Sequence, residues 1–193
     1  MALVLTAAPA VEPLTLGEAK SHLRVDTGDE DTLVSSLITA ARVHIETATG
    51  RALITQSWSL FLDAWPDGDA VPLPLAPLAS IDAVRSYDDQ GVATTISAAD
   101  YFVDTVSQVP RLVRKNDQIW APPDQVANGI EIAFTAGYGA NATDVPEPLR
   151  QAVRLLIAHW FETREPVALG AQANMVPTTV EALSAPYRRV RLS

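Results

Sequence analysis

The run Gly137-Tyr138-Gly139-Ala140-Asn141-Ala142 is the stretch most suggestive of chemistry, a G-x-G-x-x-A pattern of the kind that cradles the phosphates of a dinucleotide. It follows a predicted strand and precedes a predicted helix. A nucleotide fingerprint also needs the helix to start directly after the glycines and a parallel strand to follow. Here Pro146 and Pro148 delay the helix and no such strand follows, so the run reads as a glycine turn.

Proton transfer and metal binding find little else. The three histidines, His22, His44 and His159, form no short-spaced ligand pair. His44 sits at the edge of one helix's apolar arc and His159 beside another's, which suits packed structural imidazoles better than catalysis. Asp26, Asp29, Glu30 and Asp31 lack the spacing and closing glutamate of a calcium loop and read instead as acids at a helix start. There is no G-x-S-x-G elbow, no G-x-x-x-x-G-K loop and no cysteine. No catalytic, metal or cofactor residue is therefore assigned, and the expectation is that the chain is not an enzyme.

Two features point to contact instead. The C-terminal Pro186, Tyr187, Arg188, Arg189, Val190, Arg191 and Leu192 combine an aromatic anchor, forked cations and apolar residues, the types that carry interface energy. By composition alone this end reads equally as a docking segment or a solvated terminus. The tryptophans Trp58, Trp65, Trp120 and Trp160 read as core packing, with Trp65-Pro66 and Trp120-Ala121-Pro122-Pro123 as the candidate exceptions at exposed turns.

The chain has 193 residues, 48% of them hydrophobic, and a net charge of -9. This length can bury a sizeable core, and the acidity disfavours a broad phosphate-gripping surface. Charge is uneven: residues 51–146 hold twelve acids against five bases, and residues 147–193 four acids against six arginines. The apolar start, with Pro9, Pro13 and no basic segment, reads poorly as a signal peptide, and no stretch is apolar enough to span a membrane.

The elements that would position these residues follow from periodicity. Thr15-Leu16-Gly17-Glu18 is a capping box opening a short helix at about 16–24. A second helix runs from the acids at 29–31 to about Ala48, where Gly50 stops it; Leu33, Val34, Leu37, Ile38, Ala41, Ile45 and Ala48 share an arc of about 140°, with Ser35, Thr39, Arg42 and Glu46 opposite. From Leu53 the period becomes two, and the chain reads as β-rich to about Phe134. A late helix follows Pro148, with Leu149, Ala152, Val153, Leu156, Ile157, Trp160 and Phe161 on one side. Residues 166–176 read as a loop and 178–185 as one or two helical turns. The expected fold is α+β: a small helical core of two N-terminal helices plus the late helix, at about 14–52 and 146–165. A β-rich insertion occupies about 53–136, and an extended loop and tail 166–193, all in one domain.

Several segments, in order and spacing, resemble the phage head-tail connector (adaptor) family, also met in prophages and gene transfer agents. They are Leu14-Thr15-Leu16-Gly17-Glu18-Ala19-Lys20-Ser21-His22-Leu23-Arg24, Asp29-Glu30-Asp31 with Leu37-Ile38-Thr39-Ala40-Ala41, and Thr49-Gly50-Arg51-Ala52-Leu53-Ile54-Thr55-Gln56. Ala136-Gly137-Tyr138-Gly139, His159-Trp160-Phe161-Glu162-Thr163-Arg164-Glu165 and Pro186-Tyr187-Arg188 complete the set. The resemblance implies a mainly helical, cofactor-free protomer that assembles, usually as twelve copies, beneath the portal protein of a virion neck. It would be put together in the bacterial cytoplasm. The ring would extend the channel through which double-stranded DNA passes and offer a face to the next neck or tail protein. A C-terminal segment reaching the portal would make residues 186–192 the portal-docking site. The long β-rich region departs from shorter family members, and its acids would repel DNA in a channel. The alternatives are a nucleic-acid-binding packaging accessory using Arg188, Arg189 and Arg191, and a small-ligand enzyme built on the Gly137 loop.

Overall fold

The computed structural model describes residues 1–116, 118–163 and 176–189, which form two compact units. One contains residues 1–10 and 55–138, the other residues 11–54 and 139–193.

The first unit is built on an antiparallel five-stranded sheet, in the order β1 (Ala2–Ala7), β2 (Gln56–Leu62), β8 (Ile130–Ala136), β4 (Leu78–Tyr87), β5 (Ala93–Thr95). Its period-two pattern is clearest in the central β8, where Ile130, Ile132, Phe134 and Ala136 are fully buried and the residues between them are half-exposed. Leu60 of β2 and Val84 of β4 flank Ile132 on the same buried face. On the opposite face Glu131 collects hydrogen bonds from Ser59 Oγ (2.8 Å), Arg85 Nη1 (2.9 Å) and the Tyr87 hydroxyl (2.7 Å), one partner from each adjoining strand and one from further along β4. Burial works to raise the Glu131 pKa, but the Tyr87 and Ser59 hydroxyls and the Arg85 guanidinium outweigh it and leave the group below its ordinary value. A three-stranded sheet in the order β3 (Ala70–Pro72), β7 (Arg111–Arg114), β6 (Tyr101–Asp104) completes the unit. There Val71, Leu112 and Val103 are aligned across the strands.

Strand β1 was not expected. Its residues are mostly exposed, so the Ala2–Ala7 stretch carries no alternation of buried and exposed character for periodicity to detect. It is a strand because β2 pairs with it, Leu3 opposite Leu60 and Leu5 opposite Trp58. The implied mainly helical protomer is likewise corrected: the described residues include eight strands and four α-helices.

The second unit is helical. The capping box opens α1 (Leu16–Leu23): the Glu18 amide donates to Thr15 Oγ1 at 3.1 Å and the Thr15 amide to Glu18 Oε2 at 2.8 Å. Helix α2 (Asp31–Thr49) ends at Gly50, whose φ of 68° is the left-handed conformation glycine adopts without strain. At its start, Glu30 makes no side-chain cap and Asp31 instead pairs with Lys20 of α1 at 2.5 Å. Helix α3 (Glu147–Glu162) buries Leu149, Ala152, Val153, Leu156 and Ile157 and packs on α1, α2 and α4 (Thr178–Ser184). His44 meets the ring of Trp160 edge-on at 5.9 Å, as a packed imidazole does.

The polar face expected on α2 is partly buried. Arg42 is only 8% exposed, its Nε donating to Glu12 Oε2 (2.7 Å) and its Nη1 to Glu46 Oε2 (2.8 Å). Glu46 in turn accepts the Leu53 amide through Oε1 at 2.8 Å. Periodicity along one helix cannot register this, because the covering residue Glu12 comes from the segment before α1. Ala48, assigned to the apolar arc, is exposed. A second cation, Arg150 of α3, bonds the Pro13 carbonyl (3.1 Å), Glu18 (2.7 Å) and Glu147 (3.0 Å).

Two outcomes follow from this frame. Phe134→Ala is expected to lower the unfolding free energy by about 3–5 kcal/mol in chemical denaturation, because a fully buried ring leaves a cavity at the centre of the sheet. Glu18 is a pH-dependent element: the Thr15 amide, ahead of the Thr15 hydroxyl and Arg150 and against the effect of burial, holds its pKa below the ordinary 4.5. A carboxylate depressed in the folded state stabilises fully above its unfolded pKa and loses that contribution as pH falls through the folded value. The melting-temperature gap between wild type and Glu18→Gln is therefore expected to be widest near neutrality and to shrink as pH drops below 4.5, measured by thermal unfolding across pH.

Candidate functional site

The C-terminal segment is the site singled out by residue type, and the structure describes it as far as Arg189. Val190, Arg191 and Leu192 lie outside the described residues, as does the 166–176 loop up to its last residue. Helix α4 buries Val180 and Ser184, and a 3-10 turn (Ala185–Tyr187) follows it with Pro186 inside. The ring of Pro186 removes one amide donor and fits the tight turn. Pro186 and Arg188 are exposed, whereas Tyr187 and Arg189 are half-buried.

That half-burial comes from the C-terminal end of α2. The Arg51 Nε donates to the Tyr187 carbonyl at 2.7 Å, and the Arg51 guanidinium carbon lies 5.9 Å from the centre of the Tyr187 ring. The Arg189 amide donates to the Thr49 carbonyl at 3.3 Å. Beside it, the Arg189 side chain passes so close to Gly50 that a Cβ on that glycine would stand 2.6 Å from Arg189 Cδ. Thr49-Gly50-Arg51 and the tail residues Tyr187 and Arg189, 136 residues apart at the Arg51–Tyr187 bond, are therefore two halves of one contact. Residue typing found the tail half alone. Gly50 and Arg51 look in sequence like an ordinary helix stop, and nothing local shows that the stop is also a seat.

The Gly137 loop is occupied by the chain itself. The Gly137 amide donates to the Pro77 carbonyl at 2.9 Å, which continues the pairing of β8 with β4. Further on, the Asp144 carboxylate lies against Gly139 and accepts the Asn141 amide at 2.9 Å. A carboxylate stands where a phosphate-binding loop would present its amides to an anion.

The turn tryptophans do meet. Trp65 and Trp120 stack at 4.6 Å in a tilted pair, with Trp65 Nε1 donating to the Ala121 carbonyl at 3.0 Å, and they line a small cleft with Pro66, Gly68 and the Asp69–Arg114 ion pair. In the neighbouring hairpin the Asp104 carboxyl is held far below its usual range by the Ser107 hydroxyl, Arg111 and the Ser107 and Val106 amides. These pairings hold the loops of the β-rich unit together. Among the described residues no group of three or more histidines, aspartates or glutamates is placed to hold a metal ion, and no helix is long and apolar enough to cross a membrane.

Comparison with known proteins bears on this arrangement. Residues 13–115 match the family described as phage gp6-like head-tail connector protein. No curated protein matches the chain. Among the solved structures that match are three whose likeness covers all of this chain and 98% of their own. A chain from the neck of an empty gene transfer agent (GTA) particle computed with C6 symmetry is 36% identical, with a TM-score of 0.86. One from the virion of a native GTA particle is 34% identical, with a TM-score of 0.84. One from the neck of a native GTA particle computed with C12 symmetry is 33% identical, also at 0.84. The agreement runs through the β-rich region as well as the helices, so this region is shared with those neck chains whatever its length in other relatives. With a family match over residues 13–115, which runs through α1 and α2 and on into the β-rich unit, and end-to-end likeness at this identity, the chain belongs to the phage gp6-like head-tail connector family.

Proposed function

We propose that this protein is a structural connector subunit in the neck of a phage-like particle, forming a ring of about twelve copies beneath the portal, a number taken from the family resemblance and consistent with oligomeric symmetry in general. The observation that carries the reading is the full-length likeness to chains from GTA necks at 33–36% identity. In this role the helical unit supplies subunit contacts, and the β-rich unit faces a neighbouring neck or tail protein. The segment at residues 186–192 docks on the portal. Double-stranded DNA passes through the ring without being gripped, in keeping with the net charge of -9. The subunit is assembled in the bacterial cytoplasm and ends in the virion. The role is structural rather than catalytic.

The exposure of Arg188 supports the docking assignment, since its guanidinium is available for a forked contact with a partner carboxylate. Mixed with its purified portal oligomer, the protein is expected to form ring-shaped complexes visible by electron microscopy. Deleting residues 186–193 is expected to weaken that association, and undiminished binding by the truncated chain would remove the tail from the portal interface. In the same preparation, binding to a labelled DNA duplex is expected to be negligible at physiological salt. Salt-dependent DNA binding that disappears on substituting Arg188, Arg189 and Arg191 would favour the packaging-accessory reading instead.

A further inference from the structure

We infer that Arg51 and Gly50, at the end of α2, are positioning residues for portal docking: they clamp Tyr187 and Arg189 so that the docking tail leaves the helical unit from a fixed point. The inference rests on the portal-docking reading and assigns a division of labour within it. Tyr187 and the backbone of Arg189 hold the tail to its own subunit, and the exposed Arg188 faces the partner.

Four observations converge on the clamp. Arg51 Nε donates to the Tyr187 carbonyl at 2.7 Å, and its guanidinium stacks toward the Tyr187 ring, so one side chain grips the tail twice. The Arg189 amide reaches the Thr49 carbonyl at 3.3 Å, one of the last carbonyls of α2, which have no partner within the helix. Gly50 accounts for the close passage: its left-handed φ of 68° ends the helix, and the missing Cβ leaves the space that Arg189 Cδ occupies. Arg188, between the two held residues, is exposed.

The physical benefit is preorganisation. A free terminus must give up about 1–2 kcal/mol of backbone entropy for each residue ordered on docking. A tail already held at Tyr187 and Arg189 has met part of that cost before the partner arrives. Arginine suits the task better than lysine because its planar fork can donate to a carbonyl and lie over a ring together. The same helix end thus both terminates α2 and aims the tail.

The test compares the full chain with a chain lacking residues 186–193, each with and without Arg51→Gln, titrated against the purified portal oligomer. In the full chain Arg51→Gln is expected to weaken portal binding about tenfold, the scale of one lost charge-assisted hydrogen bond. In the truncated chain it is expected to change nothing further, because the residues it aims are gone. Trypsin cleavage after Arg188 is expected to accelerate severalfold in the full-length variant, with the thermal unfolding midpoint little changed. If truncation weakens binding while Arg51→Gln binds like wild type, the clamp is overturned and portal docking stands. An equal loss in the full and truncated chains would show that Arg51 acts through general stability, and would also overturn it. If truncation itself leaves binding intact, the docking reading falls and the positioning role with it. Should Arg51→Gln fail to fold, Arg51→Lys keeps the charge but lacks the planar fork that reaches the Tyr187 carbonyl and ring together, and it can be placed in both the full and the truncated chain for the same comparison.

Discussion

The buried guanidinium of Arg42 is the interaction on which the helical unit turns. It lies between Glu12, which precedes α1, and Glu46, one turn further along α2, while Glu46 also accepts the Leu53 amide beyond the end of that helix. One cation thereby joins the chain entering the unit, the long helix and the chain leaving it. Desolvation alone would favour the neutral form, yet hydrogen bonds and charge from Glu12 and Glu46 outweigh it and hold Arg42 firmly protonated. Such a pair is not an efficient source of stability compared with packed apolar residues, but breaking it by removing one partner leaves a buried charge unmatched. Its effect is to tie α2 to the chain on either side of it and so fix where the helix ends, which any element seated on that end requires.

Arg150 repeats the device one residue further along the entering chain, tying the Pro13 carbonyl and Glu18 of the capping box to α3. The acids that opened as local helix signals are therefore also tertiary ligands: Glu18 caps α1 and receives Arg150, and Asp31 begins α2 and receives Lys20. In the β-rich unit Glu131 plays the corresponding part, collecting Ser59, Arg85 and Tyr87 on one face of the sheet while Ile130, Ile132 and Phe134 fill the other. The chain has no cysteine and its structure needs none, since half-buried carboxylates bonded to arginines and hydroxyls supply the specific cross-links.

A connector must keep a stable body while presenting segments to other proteins, and the exposed parts fit that demand. Large apolar side chains are left in the open at Phe102, Val106, Ile119 and Val126 of the β-rich unit and at Val43 of α2. The C-terminal segment is held at Tyr187 while its neighbour Arg188 is exposed. Of these, the arginine and the aromatic rings are the residue types that most often anchor protein interfaces.

By itself the sequence determined the local events. The capping box at Thr15 and Glu18, the glycine stop at Gly50, the apolar stripe of α3 and the alternation of β8 could all be read because each rests on residues within one or two turns or within one strand. Only the tertiary structure decided what depends on a distant partner. Strand β1 carries no periodic signal and exists through its pairing with β2; Arg42 lies opposite the apolar arc of its own helix, and only Glu12, from outside that helix, covers it. The tail divided in the same way: composition left Pro186 to Leu192 open between a docking segment and a solvated terminus, and the seat that holds Tyr187 and Arg189, at Thr49, Gly50 and Arg51, comes from a distant part of the sequence. Periodicity and capping report the geometry of a single element, whereas burial, register and docking are properties of pairs of elements, and the chain states those only once it has folded.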